Sequence, residues 1–169
     1  ANGRRYAGPG VVQLPPGQPV TMTEIGLFNT TIAENEANVQ RLNTQLTLAN
    51  AQHKSAETML EFAKKGNDKD QIARAKDREK ATAQTVEGLE KSLNQTKADL
   101  EANKWGRTQA YIGYYTSADK IPDGNVRDLT AGNLAILYEQ SKGKIDLSDT
   151  KYFEAAKAAA ERGEPLKPK

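Results

Sequence analysis

The sequence predicts an all-α protein, a long antiparallel coiled-coil helical hairpin with a small helical base and an extended N-terminal arm. Three observations carry that prediction. Apolar residues recur at alternating steps of three and four along two long stretches, which places one narrow apolar seam on each of two helices. A short Gly-Asn-Asp break separates the stretches. Pro and Gly crowd residues 1–23, where they forbid regular helix or central strand.

The arm, 1–23, holds Gly3, Gly8, Pro9, Gly10, Pro15, Pro16, Gly17 and Pro19. Val11, Val12 and Leu14 give it apolar teeth suited to docking on a neighbour, where a plain linker would be mostly Gly, Ser and charge. The hairpin, 24–115, follows. Its first helix starts near Thr21 or Thr23, because Thr21 and Glu24 have capping-box spacing. The seam of this helix is Ile25, Phe28, Ile32, Val39, Leu42, Leu46, Ala49, Ala56, Leu60 and Ala63, interrupted by Asn35 and His53. Gly66, Asn67 and Asp68 end it near Lys65, with Gly66 expected in the left-handed position past the helix end. Asp68 or Asp70 caps the second helix, which runs to about Tyr115. Its seam is Ile72, Ala75, Thr82, Val86, Leu89, Leu93 and Leu100, diluted by Glu79, Thr96 and Asn103.

The two stripes, 25–63 and 72–110, have equal length, and at ~1.5 Å rise per residue each spans about 58 Å. With a tip near 66–70 the helices fold back antiparallel, so facing positions sum to about 135. Leu42 then meets Leu93, Leu46 meets Leu89, and His53 lies opposite Thr82 and near Glu79. The base, 116–169, begins with a turn at Ile121-Pro122-Asp123-Gly124. Thr130 is expected to cap a short helix through Lys142, and Ser148 or Asp149 another through Arg162. Ile25 and Phe28 are expected to join Tyr111 and Tyr114 in one small core, and the tail from Glu164 to Lys169 to fray.

Composition excludes several functions. There is no cysteine, so no disulfide or thiolate chemistry. No apolar run approaches the ~18 residues of a membrane span. The net charge is only +2, with no broad basic face, which argues against nucleic acid as the partner. Basic residues cluster between Lys64 and Lys80, but Asp68, Asp70, Asp77 and Glu79 interleave with them as ordinary surface ion pairs.

Nothing in the pattern requires a cofactor, a metal or a catalytic residue. His53 is the single histidine and lacks the companions zinc needs. It reads instead, with Asn35 and Asn103, as a polar layer of the seam that fixes register. Asp119, Asp123, Asn125 and Asp128 do not have the spacing of a calcium loop. Ser141-Lys142-Gly143-Lys144-Ile145 lacks the first Gly and the final Ser or Thr of a phosphate loop.

The outer surface of the first helix is unusual. Between Phe28 and His53 it is dominated by Asn, Thr and Gln, with Asn38, Asn43, Gln45 and Asn50 as candidate interaction residues. A free solvated helix shows interleaved Glu and Lys, as the second helix does. Uncharged polar groups tolerate burial at an interface better than charges do. The expected function is therefore a non-enzymatic structural component of a large multi-copy assembly, its partners other protein subunits or copies of itself. A virus or phage particle (capsid, head–tail or tail protein) is the favoured setting. A periplasmic or secretion-system coiled-coil adaptor and an assembly chaperone or scaffold are the alternatives.

Overall fold

The computed structural model describes residues 11–12 and 20–167; Leu14 and the other residues of the expected arm at 1–10 and 13–19 lie outside the described residues. Four helices follow in order: α1 (Met22–Lys65), α2 (Lys69–Tyr115), α3 (Gly124–Gln140) and α4 (Thr150–Glu161), with no strand among the described residues. The long pair α1 and α2 packs closely, as the legs of a helical hairpin do. The chain divides into two compact units, Ile32–Glu101 on the one hand and Ala1–Thr31 with Ala102–Lys169 on the other.

The helix ends follow local chemistry. The amide of Thr21 donates to Glu24 Oε2 at 2.9 Å, and the amide of Glu24 to Thr21 Oγ1 at 3.4 Å, which closes the capping box at the start of α1. Asp68 Oδ1 accepts from the amides of Asp70 and Gln71 and caps α2. Asp149 caps α4 by accepting from Lys151.

Three expectations are corrected. Asn67, not Gly66, takes the left-handed conformation after α1, with φ 62°; Asn tolerates that region because its short polar side chain bonds locally. Helix α3 starts at Gly124 on an Asp123 cap rather than at Thr130, since Asp123 Oδ1 accepts from the amides of Asn125 and Val126. Thr130 instead lies buried inside α3, its hydroxyl donating to Val126 O at 2.7 Å. The tail is held as far as Lys167: the amide of Leu166 donates to Asn133 Oδ1 at 2.8 Å, and Gln140 Nε2 to Lys167 O.

In the 32–101 unit every expected apolar seam residue is buried or half-buried. Leu42, Ala49, Ala56 and Ala63, spaced every seventh residue, are buried, and Leu93 is buried on α2. Three alanines in that column leave little side chain between the helices and so permit close approach. His53 Nδ1 sits 2.9 Å from Thr82 Oγ1, and 53 and 82 sum to the expected 135. Asp99 is buried beside this stripe, accepting from Gln95 Nε2 at 2.8 Å, a burial that apolar spacing does not reveal.

The second unit builds its core from Ile25, Phe28, Tyr111, Ile112, Ile121, Leu134, Leu147 and Ala156, all buried. Tyr114 stands half-buried at the edge. Tyr115 stacks on Tyr111 at 5.9 Å and on Phe153 at 5.1 Å, with Tyr114 edge-on at 5.5 Å. Asn133, buried in α3, donates to Ala156 O and Glu164 O and accepts from Leu166, so one carboxamide ties α3 to α4 and to the tail.

Candidate functional site

Helix α1 is where the chain presents most of its unspent apolar surface. Among the described residues, the exposed large hydrophobics are Met22, Leu27, Leu48, Met59, Phe62 and Trp105, and all but Trp105 lie on α1. Within the 32–101 unit, Leu48 and Met59 are each 60% exposed and Phe62 79%. Leu48, Ser55 and Phe62 recur every seventh residue, each two positions beyond a seam residue (Leu46, His53, Leu60). Two positions turn the helix by about 200°, so this row faces away from α2. Met59, three positions before Phe62, is its neighbour along the helix.

Leu48 lies in a stretch without formal charge, whereas Met59 and Phe62 follow it among Lys54, Glu57, Glu61, Lys64 and Lys65. No Asp, Glu, Lys or Arg occurs between Arg41 and Lys54. The threonines here are less polar than their names suggest. The hydroxyls of Thr44, Thr47 and Thr58 donate to the carbonyls of Gln40, Asn43 and Lys54 at 3.0–3.1 Å. A hydroxyl turned back on its own helix has spent its one donor and asks less of water.

The structure places the sequence-derived residues in separate groups. Asn38, Asn43, Gln45 and Asn50 are all exposed. Arg41 brings two of them together, its guanidinium reaching Gln45 Oε1 at 3.3 Å and Asn38 Oδ1 at 3.5 Å. Asn43 and Asn50 each follow a buried seam residue, whereas Asn38 and Gln45 each precede a half-buried one, so the pairs occupy opposite shoulders of the seam. Leu48, Met59 and Phe62 were not among the residues singled out in the sequence. The signal for them was present: they are the large apolar side chains of α1 that the seam spacing does not use.

The three polar residues expected to fix register are engaged in different ways. Asn35 is buried. His53 is half-buried against Thr82, its Nε2 lying 3.6 Å from Glu57 and 3.9 Å from Glu79. In the other unit Asn103 is fully buried, and its side-chain oxygen accepts from the amide of Val12 at 2.8 Å. Val11 and Val12 are half-buried there, so this part of the expected arm has a partner within its own unit.

Among the described residues no helix is long and apolar enough to cross a membrane. The chain matches no protein-family model, no curated protein and no solved structure.

Proposed function

We propose that this chain is a non-enzymatic structural subunit that joins neighbours in a multi-copy assembly, through the outward face of α1. One observation carries the reading: Leu48, Met59 and Phe62 are large apolar side chains left exposed on the side of α1 that faces away from the seam. A solvated helix has no use for a Phe that is 79% exposed. Removing such side chains from water is worth about 1.5–3 kcal/mol each. Three together contribute on the scale of a protein–protein hot spot.

The non-catalytic part of the reading is supported by how the polar side chains are spent. The single histidine belongs to the inter-helix layer with Thr82, and the carboxamides of Asn103 and Asn133 hold backbone groups. In its finer form the hairpin is a coiled coil that carries an extended N-terminal arm. The setting we propose is a virus or phage particle, where paired long helices packed side by side suit a repeated part; this rests on architecture alone.

The test is sedimentation of the purified chain across a wide concentration range, with Leu48→Ser, Met59→Ser and Phe62→Ser combined. The expected result is self-association of the parent chain, weakened at least about tenfold in the triple variant. A parent chain that stays monomeric into the millimolar range would overturn the self-assembly reading. Native mass measurement of the source material should find the chain within a far larger particle.

A further inference from the structure

The outward side of α1 carries a second seven-residue repeat. Thr44, Leu48, Ala51, Ser55, Thr58 and Phe62 follow one another at alternating steps of four and three, the spacing of a helix seam. All six are exposed and none is charged. The hydroxyls of Thr44 and Thr58 donate to the carbonyls of Gln40 and Lys54. A helix that has buried one such stripe in its own hairpin presents the second to whatever lies outside. Ala51 and Ser55 stand at its middle, where small side chains let another helix come close.

Charge selects the occupant and its direction. One flank of the stripe is Thr47, Lys54 and Glu61; the other is Gln45, Gln52 and Met59. Among the described residues neither Lys54 nor Glu61 makes an ion pair. The next positions beyond the two ends of the stripe are Arg41 and Lys65. A second copy lying parallel and in register would set Arg41 against Arg41 and Lys65 against Lys65, and would turn Lys54 toward the Met59 flank. A second copy lying antiparallel brings equal flanks together, so that Lys54 faces Glu61 twice about one twofold axis. The same pair fixes the register. With Phe62 over Ala51 of the second copy, Ser55 meets Thr58, Met59 lies beside Gln52, and Lys65 lays its aliphatic stem along Leu48. Sliding one copy by seven residues in either direction sets Lys54 against Lys54 or Glu61 against Glu61, and like charges oppose that.

We propose that the outward face of α1 pairs with the same face of a second copy of this chain, antiparallel, with Lys54 and Glu61 as reciprocal partners across the pair. This rests on the reading of α1 as the joining surface, and adds which neighbour it joins and how that neighbour lies. A contact that uses the same patch on both chains closes on itself, so it makes pairs of hairpins, and a larger assembly takes the pair as its unit. Because the contact is short and its ion pairs are exposed, pairing is weak and salt-sensitive.

The test is sedimentation equilibrium of the full chain with Lys54→Glu and Glu61→Lys, singly and combined. Each single exchange puts two like-charge contacts where two ion pairs stood, and should weaken pairing about fivefold or more. The double exchange restores opposite charges and should recover the parent affinity. Both positions are exposed, so the thermal melt of the dilute chain should not change. Direction is read separately. The chain has no cysteine, so a single nitroxide on Gln45→Cys or on Gln52→Cys reports the distance to its mate in the pair. In the antiparallel register the Gln52→Cys labels stand closer together than the Gln45→Cys labels by about 20 Å, whereas parallel pairing gives equal distances. A parent chain that stays monomeric overturns both this proposal and the reading beneath it, and leaves a different protein as the occupant. A parent chain that associates, but whose double exchange recovers nothing or whose two labels give equal distances, overturns the antiparallel pairing alone.

Discussion

Replacing Gly106 by Ala sets two known effects against each other. Gly106 lies in the interior of α2, where Ala is normally better by about 1 kcal/mol. Here an added Cβ would stand 2.7 Å from Phe28 Cε1 and 3.0 Å from Cζ. Carbon atoms prefer roughly 3.5–4.0 Å, so either the ring or the helix must move. Phe28 is only 3% exposed and cannot swing into solvent. Overpacking of a buried ring costs about 1–3 kcal/mol, which exceeds the propensity gain and leaves a net loss of about 1 kcal/mol. Gly88, in the same helix, has nothing within 4 Å of its ideal Cβ, so Gly88→Ala should stabilise by about 1 kcal/mol. Urea unfolding followed by circular dichroism and by Trp105 fluorescence measures both. Phe28→Leu in the Gly106→Ala background should recover part of the loss, a coupling of about 0.5 kcal/mol or more. A Gly106→Ala chain as stable as the parent with Phe28 intact would refute the steric argument.

Two further outcomes are expected. Asn133→Ala removes a buried carboxamide with its bonds to Ala156 O and Glu164 O and takes away the acceptor of the Leu166 amide. It should cost about 2–4 kcal/mol in urea unfolding and speed hydrogen exchange at Leu166. The Tyr115 phenol is pushed above its ordinary value of 10.0, first by burial and then by the charges of Tyr111, Tyr114, Asp146 and Asp149. The unfolded chain therefore ionises this group first. Stability is fully present below pH 10 and falls as pH rises through the folded value, and Tyr115→Phe should flatten that alkaline decline in thermal melts.

Local order was legible where a short-range rule acts without competition. Thr21 and Glu24 close their box, Asp68 and Asp149 cap their helices, and the apolar steps of α1 become its buried column, because a helix of fixed pitch must bring them to one side. The same spacing anticipated the His53–Thr82 layer. Where two local rules compete, sequence was insufficient. Thr130 has the chemistry of a cap, but Asp123 already holds two free amides, and Thr130 turns its hydroxyl back to Val126.

What required tertiary structure is whatever depends on partners distant in the chain. Asn133 is a polar residue in mid-helix until the carbonyls of Ala156 and Glu164 arrive to satisfy it. Gly106 is a poor helix residue until Phe28 lies on it. Leu48, Met59 and Phe62 are ordinary apolar residues until packing leaves them uncovered. Lys104, Arg107 and Lys144 line one cleft only after the turn at Gly143 returns to α2. Capping and periodicity are decided by neighbours within a few residues, and so they are written along the chain. Burial and charge clustering are sums over space, and only the folded chain performs them.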